Sequence, residues 1–155
     1  MKKHVIFLTL PALLLALLAT LAIQGIAFAA PLQPQRALAT CSSAPSFQNC
    51  DNVYPDADIC PADAQPLVTA NIVDSNRKVL GQVLVMYSNH CQSAWGKITS
   101  TVASRLVLDL DRNGAYFAGA STNTTGTSIR TVMAYAVFQA MRACGSINGY
   151  SACTA

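Results

Sequence analysis

The sequence predicts a mainly β fold: a small disulfide-stabilised antiparallel barrel or sandwich with a looped N-terminal cap. Three observations carry that expectation. Six cysteines (Cys41, Cys50, Cys60, Cys91, Cys144 and Cys153) all follow an apolar leader that contains none, and an even cysteine set in an exported chain reads as a disulfide framework. All seven acidic residues are aspartate, with no glutamate; Asp favours turns and caps where Glu favours helices. Beyond Pro66, short apolar segments recur between turn signals, the pattern of sequential short strands.

The leader has the parts of a secretory signal. Lys2, Lys3 and His4 precede an apolar run from Val5 to Ile23, and Ala27-Phe28-Ala29 offers small residues where a signal peptidase reads. Residues 1–29 read as a signal peptide, cleaved after Ala29 or Ala30, which makes the protein secreted. The rival reading is a retained membrane anchor, since the run is long enough to span a bilayer; Pro11 and the small-residue exit argue for cleavage. Residues 30–40 read as a flexible spacer and residues 41–155 as the domain. Two of the ten Lys and Arg residues lie in the leader, so the rest nearly balance the seven aspartates. That balance excludes the dense positive charge that nucleic-acid binders and cationic membrane-active proteins need. The expectation is a monomer with no nucleic-acid partner and no stable membrane association after cleavage.

From Cys41 to Pro66 the chain holds three cysteines, four aspartates and four prolines, which suits a looped cap tied down covalently. Leu67–Asp74 and Lys78–Ser88 read as a hairpin across Ser75-Asn76-Arg77. The second of these is apolar on both faces, with Val79, Val83, Val85 and Tyr87 on one and Leu80, Leu84 and Met86 on the other, as in a central strand. Ser93–Thr99 carries the single tryptophan, Trp95. Thr101–Leu110 alternates most clearly, with Val102, Leu106, Leu108 and Leu110 pointing one way. Asp111-Arg112-Asn113-Gly114 is a turn, because Asn-Gly supplies positive φ. Ala115–Ala120 returns as a strand, Ser121–Thr127 is a polar loop, and Ser128–Tyr135 is a further strand. Ala136–Cys144 is ambiguous, because Met133, Val137 and Met141 also fall at helical spacing. Spacing alone does not select a disulfide pairing; locality suggests Cys41–Cys50 and Cys144–Cys153, leaving Cys60–Cys91 to tie the cap to the strand that bears Tyr87.

The run Tyr87-Ser88-Asn89-His90-Cys91-Gln92-Ser93-Ala94-Trp95-Gly96-Lys97-Ile98 resembles the Tyr-Ser-x-x-Cys-x-x-x-Trp-(Ala/Gly)-basic signature of the YjfA-like bacterial family, domain of unknown function 2690. The flanks agree: three cysteines upstream, Thr131-Val132-Met133, and a closing Cys144-Gly145 with Cys153-Thr154. Val85-Met86 stands where members commonly carry Leu-Arg. The resemblance implies a bacterial protein, exported or attached outside membrane segments, and no established activity.

Several residues could carry chemistry. Trp95, Lys97 and Tyr87 could form an exposed surface that binds a sugar ring, with Lys97 in cation–π contact with Trp95; alternatively Trp95 is a core aromatic packed against a disulfide. Asp109-x-Asp111-x-Asn113-Gly114 fits the first half of a calcium loop but has Ala120 where a bidentate Glu is expected, so a solvated hairpin competes with a weak metal site. His90 is the only histidine outside the leader, and an enzyme would need it beside Asp109 or Asp111. With no Gly-x-Ser-x-Gly elbow and no Cys-x-x-Cys pair, the expectation is no catalytic residue, no cofactor and no metal. The reading is a non-catalytic extracytoplasmic module contacting cell-wall glycan or an extracellular protein. A secreted effector, such as a toxin or an inhibitor with Ser121–Thr127 as its protruding loop, is the competing one.

Overall fold

The structure, a computed structural model, describes residues 40–122 and 124–155; the signal-peptide reading of residues 1–29 and all of the 30–40 spacer except Thr40 lie outside them. The cap opens on a one-turn helix, α1 (Phe47–Cys50), whose first turn is capped by the Ser46 hydroxyl accepting from the Asn49 amide. Two short 3-10 turns, Pro55–Ala57 and Cys60–Ala62, follow. Then come nine strands: β1 (Gln65–Val73), β2 (Val79–Ser88), β3 (Ser93–Ser104), β4 (Leu106–Arg112), β5 (Ala115–Ser121), β6 (Gly126–Arg130), β7 (Ala134–Tyr135), β8 (Met141–Ile147) and β9 (Tyr150–Cys153).

They form two antiparallel sheets. The first runs β1-β2-β3-β6, with β7 also pairing β3, and the second runs β5-β4-β8-β9. The sheets do not close on one another, so the sandwich alternative holds and the barrel does not. The physical reason sits at Arg105. The alternation of Thr101–Leu110 reads as one strand, but the chain leaves the first sheet at Ser104 and enters the second at Leu106. Side chains rather than a continuing ladder satisfy the backbone at this corner: the Arg105 amide donates to Asn148 Oδ1 (3.2 Å) and the Leu106 amide to Thr122 Oγ1 (2.9 Å). Val102 is therefore exposed, whereas Leu106, Leu108 and Leu110 are fully buried.

Between the sheets lies the main core. Ile72, Val83, Val85, Ala94 and Ile98 of the first sheet meet Leu106, Leu108, Leu110, Met141, Ala143 and Ile147 of the second. The β1–β2 turn forms as its residues predict, with Asp74 Oδ1 accepting from the amides of Asn76 and Lys78. The β4–β5 turn also forms, Asn113 (φ 54°) and Gly114 (φ 81°) being left-handed in a two-residue hairpin. The Ser128–Tyr135 segment is not one strand. It breaks at Thr131, whose hydroxyl accepts from the Gly96 amide (3.0 Å) and whose own amide donates to the Gly96 carbonyl (3.0 Å). The helical spacing at Met133, Val137 and Met141 is coincidental, because the chain there passes through the short strand β7 and a loop into β8.

The cap makes a third layer over part of the first sheet. On β3, Ala94 and Ile98 enter the main core, so Trp95 between them points to the sheet's other face. There it packs among Cys41, Cys50, Cys60, Cys91 and Met133. The bridges are Cys41–Cys50, Cys60–Cys91 and Cys144–Cys153, the pairing that locality suggests.

Candidate functional site

The three residues of the expected sugar surface do not share a face. Tyr87 lies half-buried against the main core. Trp95 is only 3% exposed, roofed by the cap disulfides. Lys97 lies further along the outer face of β3, opposite Arg130, where the two line a shallow polar depression with Ser128 and Ile129. Arg130 is ion-paired with Asp56 of the cap. Among the described residues the cation–π contacts belong to Arg112, over Phe47 (5.2 Å) and Phe117 (4.5 Å), and not to Lys97. The exposed-patch reading of Trp95 is thus corrected: its ring is a core aromatic, because alternation turns it toward the one part of that face the cap covers.

Nor does the calcium-loop pattern assemble. Asp109 and Asp111 alternate on the outer face of β4, an extended strand that cannot wrap an ion as a loop does. Asp111 Oδ2 accepts from Arg142 (2.6 Å), and Asn113 Oδ1 accepts from the Ala140 amide (2.9 Å). His90 sits in the β2–β3 turn, on the first sheet, while Asp109 and Asp111 face outward from the second. Its charged neighbours are Asp58 and Asp63 of the cap.

Those two aspartates are occupied in holding the cap. Asp63 accepts from the Ser88 hydroxyl and from the His90 amide (2.9 Å). The Ser88 bond above all, then the amide bond and the nearby histidine, hold its carboxyl below the ordinary value against an opposing desolvation. At Asp58, desolvation is the largest influence and raises the pKa. The Ser42 hydroxyl and amide, the Ile59 amide and His90 together outweigh it, and the net shift is downward. Of the residues that carry the family resemblance, Ser88, Cys91, Trp95, Thr131, Met133 and Thr154 are buried, whereas Tyr87 and Lys97 are half-buried and His90 is exposed.

What the sequence reading missed is on the outer face of the second sheet. Tyr116 is 68% exposed there, in register with Asp111, and Gly119 is in register with Asp109. A β-bulge lies between these pairs, with Phe117 as the extra residue. Strict alternation would put Tyr116 and Gly119 on opposite faces; the bulge puts them on the same one. The Tyr116 hydroxyl reaches to 2.8 Å from where a Cβ on Gly119 would stand, and Asp109 Oδ1 to 2.9 Å from that point. Beyond Asp109 the face dips into a small depression over the Cys144–Cys153 bridge, lined also by Val107, Ser146 and Ser151.

A two-sheet sandwich, capped and cross-linked by three disulfides, displaying one open polar face with an aromatic on it, is the class these features define. The chain belongs to the family whose model is described as "Protein of unknown function (DUF2690)", which matches residues 48–144. No curated protein and no solved structure matches it.

Proposed function

We propose that this is an exported, non-catalytic binding module of the extracytoplasmic space that contacts the cell envelope. The observation that carries the reading is the outer face of the second sheet. It is open apart from the depression over Cys144–Cys153, and it sets an exposed aromatic, a carboxylate and hydroxyls together. A surface of that shape suits a polymer lying across it better than a small molecule enclosed by it. Three closed disulfides fit an oxidising compartment, and among the described residues no helix is long and apolar enough to cross a membrane. The engagement of Asp58 and Asp63 in cap bonds beside His90 supports a non-catalytic role for that cluster.

One observation favours the alternative of a secreted effector or inhibitor acting on an extracellular protein. Phe138 is 100% exposed on a left-handed backbone (φ 58°). Its loop is clamped by the Gln139 side chain donating to the Val137 carbonyl and by Asn113 bonding Ala140. The loop named in the sequence reading, Ser121–Thr127, includes Asn123, which lies outside the described residues.

Sedimentation of the oxidised protein with purified cell walls tests the first reading. Saturable co-sedimentation is expected. Protein left wholly in the supernatant overturns it and transfers the weight to the Phe138 loop.

A further inference from the structure

The second sheet's outer face is built in register rows. Gly119, Asp109, Cys144 and Cys153 stand side by side across its four strands, and the next row is Ser121, Val107, Ser146 and Ser151. Three features single out Asp109 at the centre of the first row. Among the described residues no hydrogen bond or ion pair engages its carboxylate, whereas Asp111, two residues along, is neutralised by Arg142. One neighbouring position is glycine, and the space a Cβ would fill is shared between Tyr116 and Asp109 themselves. The other neighbour is a disulfide, an apolar floor with the hydroxyls of Ser146 and Ser151 beside it. The bulge at Phe117 brings the exposed Tyr116 ring to the same face.

We propose that Tyr116, Asp109 and the depression over Cys144–Cys153 form a subsite for an uncharged saccharide within a glycan chain; this rests on the envelope-binding reading and names its site and ligand class. The chemistry is complementary. A pyranose has a face of C–H groups that stacks on an aromatic ring, and a rim of hydroxyls that donate to a carboxylate in charge-assisted bonds. The next sugar along the chain lies over the disulfide, within reach of the serine hydroxyls. The sign of the site selects among envelope polymers. The unpaired carboxylate at its centre disfavours a phosphate or uronate seated directly beside it, the Arg142 cation on this face being paired with Asp111, and accepts neutral or N-acetylated sugars. Gly119 is the gate: a side chain there would crowd the Tyr116 hydroxyl and the Asp109 carboxylate, so that one or both must move.

The test is calorimetric titration of the oxidised protein with a soluble N-acetylglucosamine hexamer and, separately, with polyphosphate. Wild type, Tyr116→Ala, Asp109→Asn and Gly119→Val are compared, alongside cell-wall sedimentation of each. Expected are binding of the hexamer but not polyphosphate, and a loss of about tenfold or more in each variant. Melting temperatures should stay near wild type in the two exposed-residue variants. Wild type and variants that sediment equally with walls would overturn the subsite and leave the envelope reading standing. Polyphosphate bound in preference to the hexamer would overturn the ligand class. Hexamer binding lost in Tyr116→Ala without any wall binding would uphold the subsite and overturn the envelope reading.

Discussion

Arg112 is the side chain on which the most parts of the molecule converge. It ends β4 and opens the β4–β5 turn, yet its guanidinium leaves the second sheet to meet the cap. Nη1 donates to Asp51 Oδ2 at 2.7 Å, and the cationic group lies over both Phe47 of the cap and Phe117 of the bulge. Asp51 in turn accepts the Tyr135 amide on its other oxygen, at 2.7 Å. One planar cation thus joins cap, hairpin and β7. A lysine would keep the charge, but its compact ammonium cannot stack on two rings while bonding a carboxylate. Arg112→Lys is therefore expected to destabilise by about 2 kcal/mol, from a charge-assisted bond and part of the cation–π contact. A urea titration reads this as a lower midpoint with an unchanged slope. A midpoint equal to wild type would mean that charge alone is sufficient at this position.

At the scale of elements, the cap is the part whose attachment depends on pH. Asp58 and Asp63 both have folded-state pKa values below the ordinary aspartate value. A depressed carboxylate stabilises the fold fully above its unfolded pKa, and that contribution is lost as pH falls through the lower folded value. The cap should therefore loosen as pH falls below the ordinary aspartate range, and neutral or mildly alkaline conditions should leave it unaffected. Trp95, buried beneath it, reports the event: its emission should shift to the red on acidification. In Asp63→Asn part of that acid dependence should vanish, because the amide does not titrate. An acid transition unaltered in Asp63→Asn would detach the cap's pH response from this aspartate. The same elements mark how far the sequence could be read. Leu106, Leu108 and Leu110 were legible as core because a strand facing the core alternates. The β1–β2 and β4–β5 turns were legible because Asp74 and Asn113-Gly114 carry local turn chemistry. Which face of β3 a cap would cover, and hence that Trp95 is roofed while Lys97 is not, depends on contacts between distant segments. The corner at Arg105, which decides sandwich over barrel, hides inside an unbroken alternation. Tyr116 was missed because the Phe117 bulge resets the period; Gly119, an isolated glycine inside the strand, was the local signal that could have announced it.

For the molecule as a whole, the layering separates what holds the fold together from what we propose it binds. The cap disulfides pack on the outer face of the first sheet, while Tyr116 and Asp109 lie on the outer face of the second, so the Cys60–Cys91 bridge and the Tyr116–Asp109 face belong to different surfaces. The bridges also differ in the chain they close, with sequence separations of 31 for Cys60–Cys91 and 9 for Cys144–Cys153. Chain-entropy estimates give about 3.7 kcal/mol for the longer loop and about 2.6 kcal/mol for the shorter. Two double variants should then dissociate stability from binding. Cys60→Ala with Cys91→Ala should lower the melting temperature more, yet retain hexamer and wall binding below the transition, because neither cysteine lies in the second sheet. Cys144→Ala with Cys153→Ala should melt closer to wild type but bind several-fold more weakly, since it removes the disulfide floor beside Asp109 and leaves the edge strand β9 held to β8 by its hydrogen-bonded ladder alone. Calorimetric melting and hexamer titration on the two proteins decide the matter. Equal binding losses in both would tie recognition to the whole framework and dissolve the division of labour between the two faces.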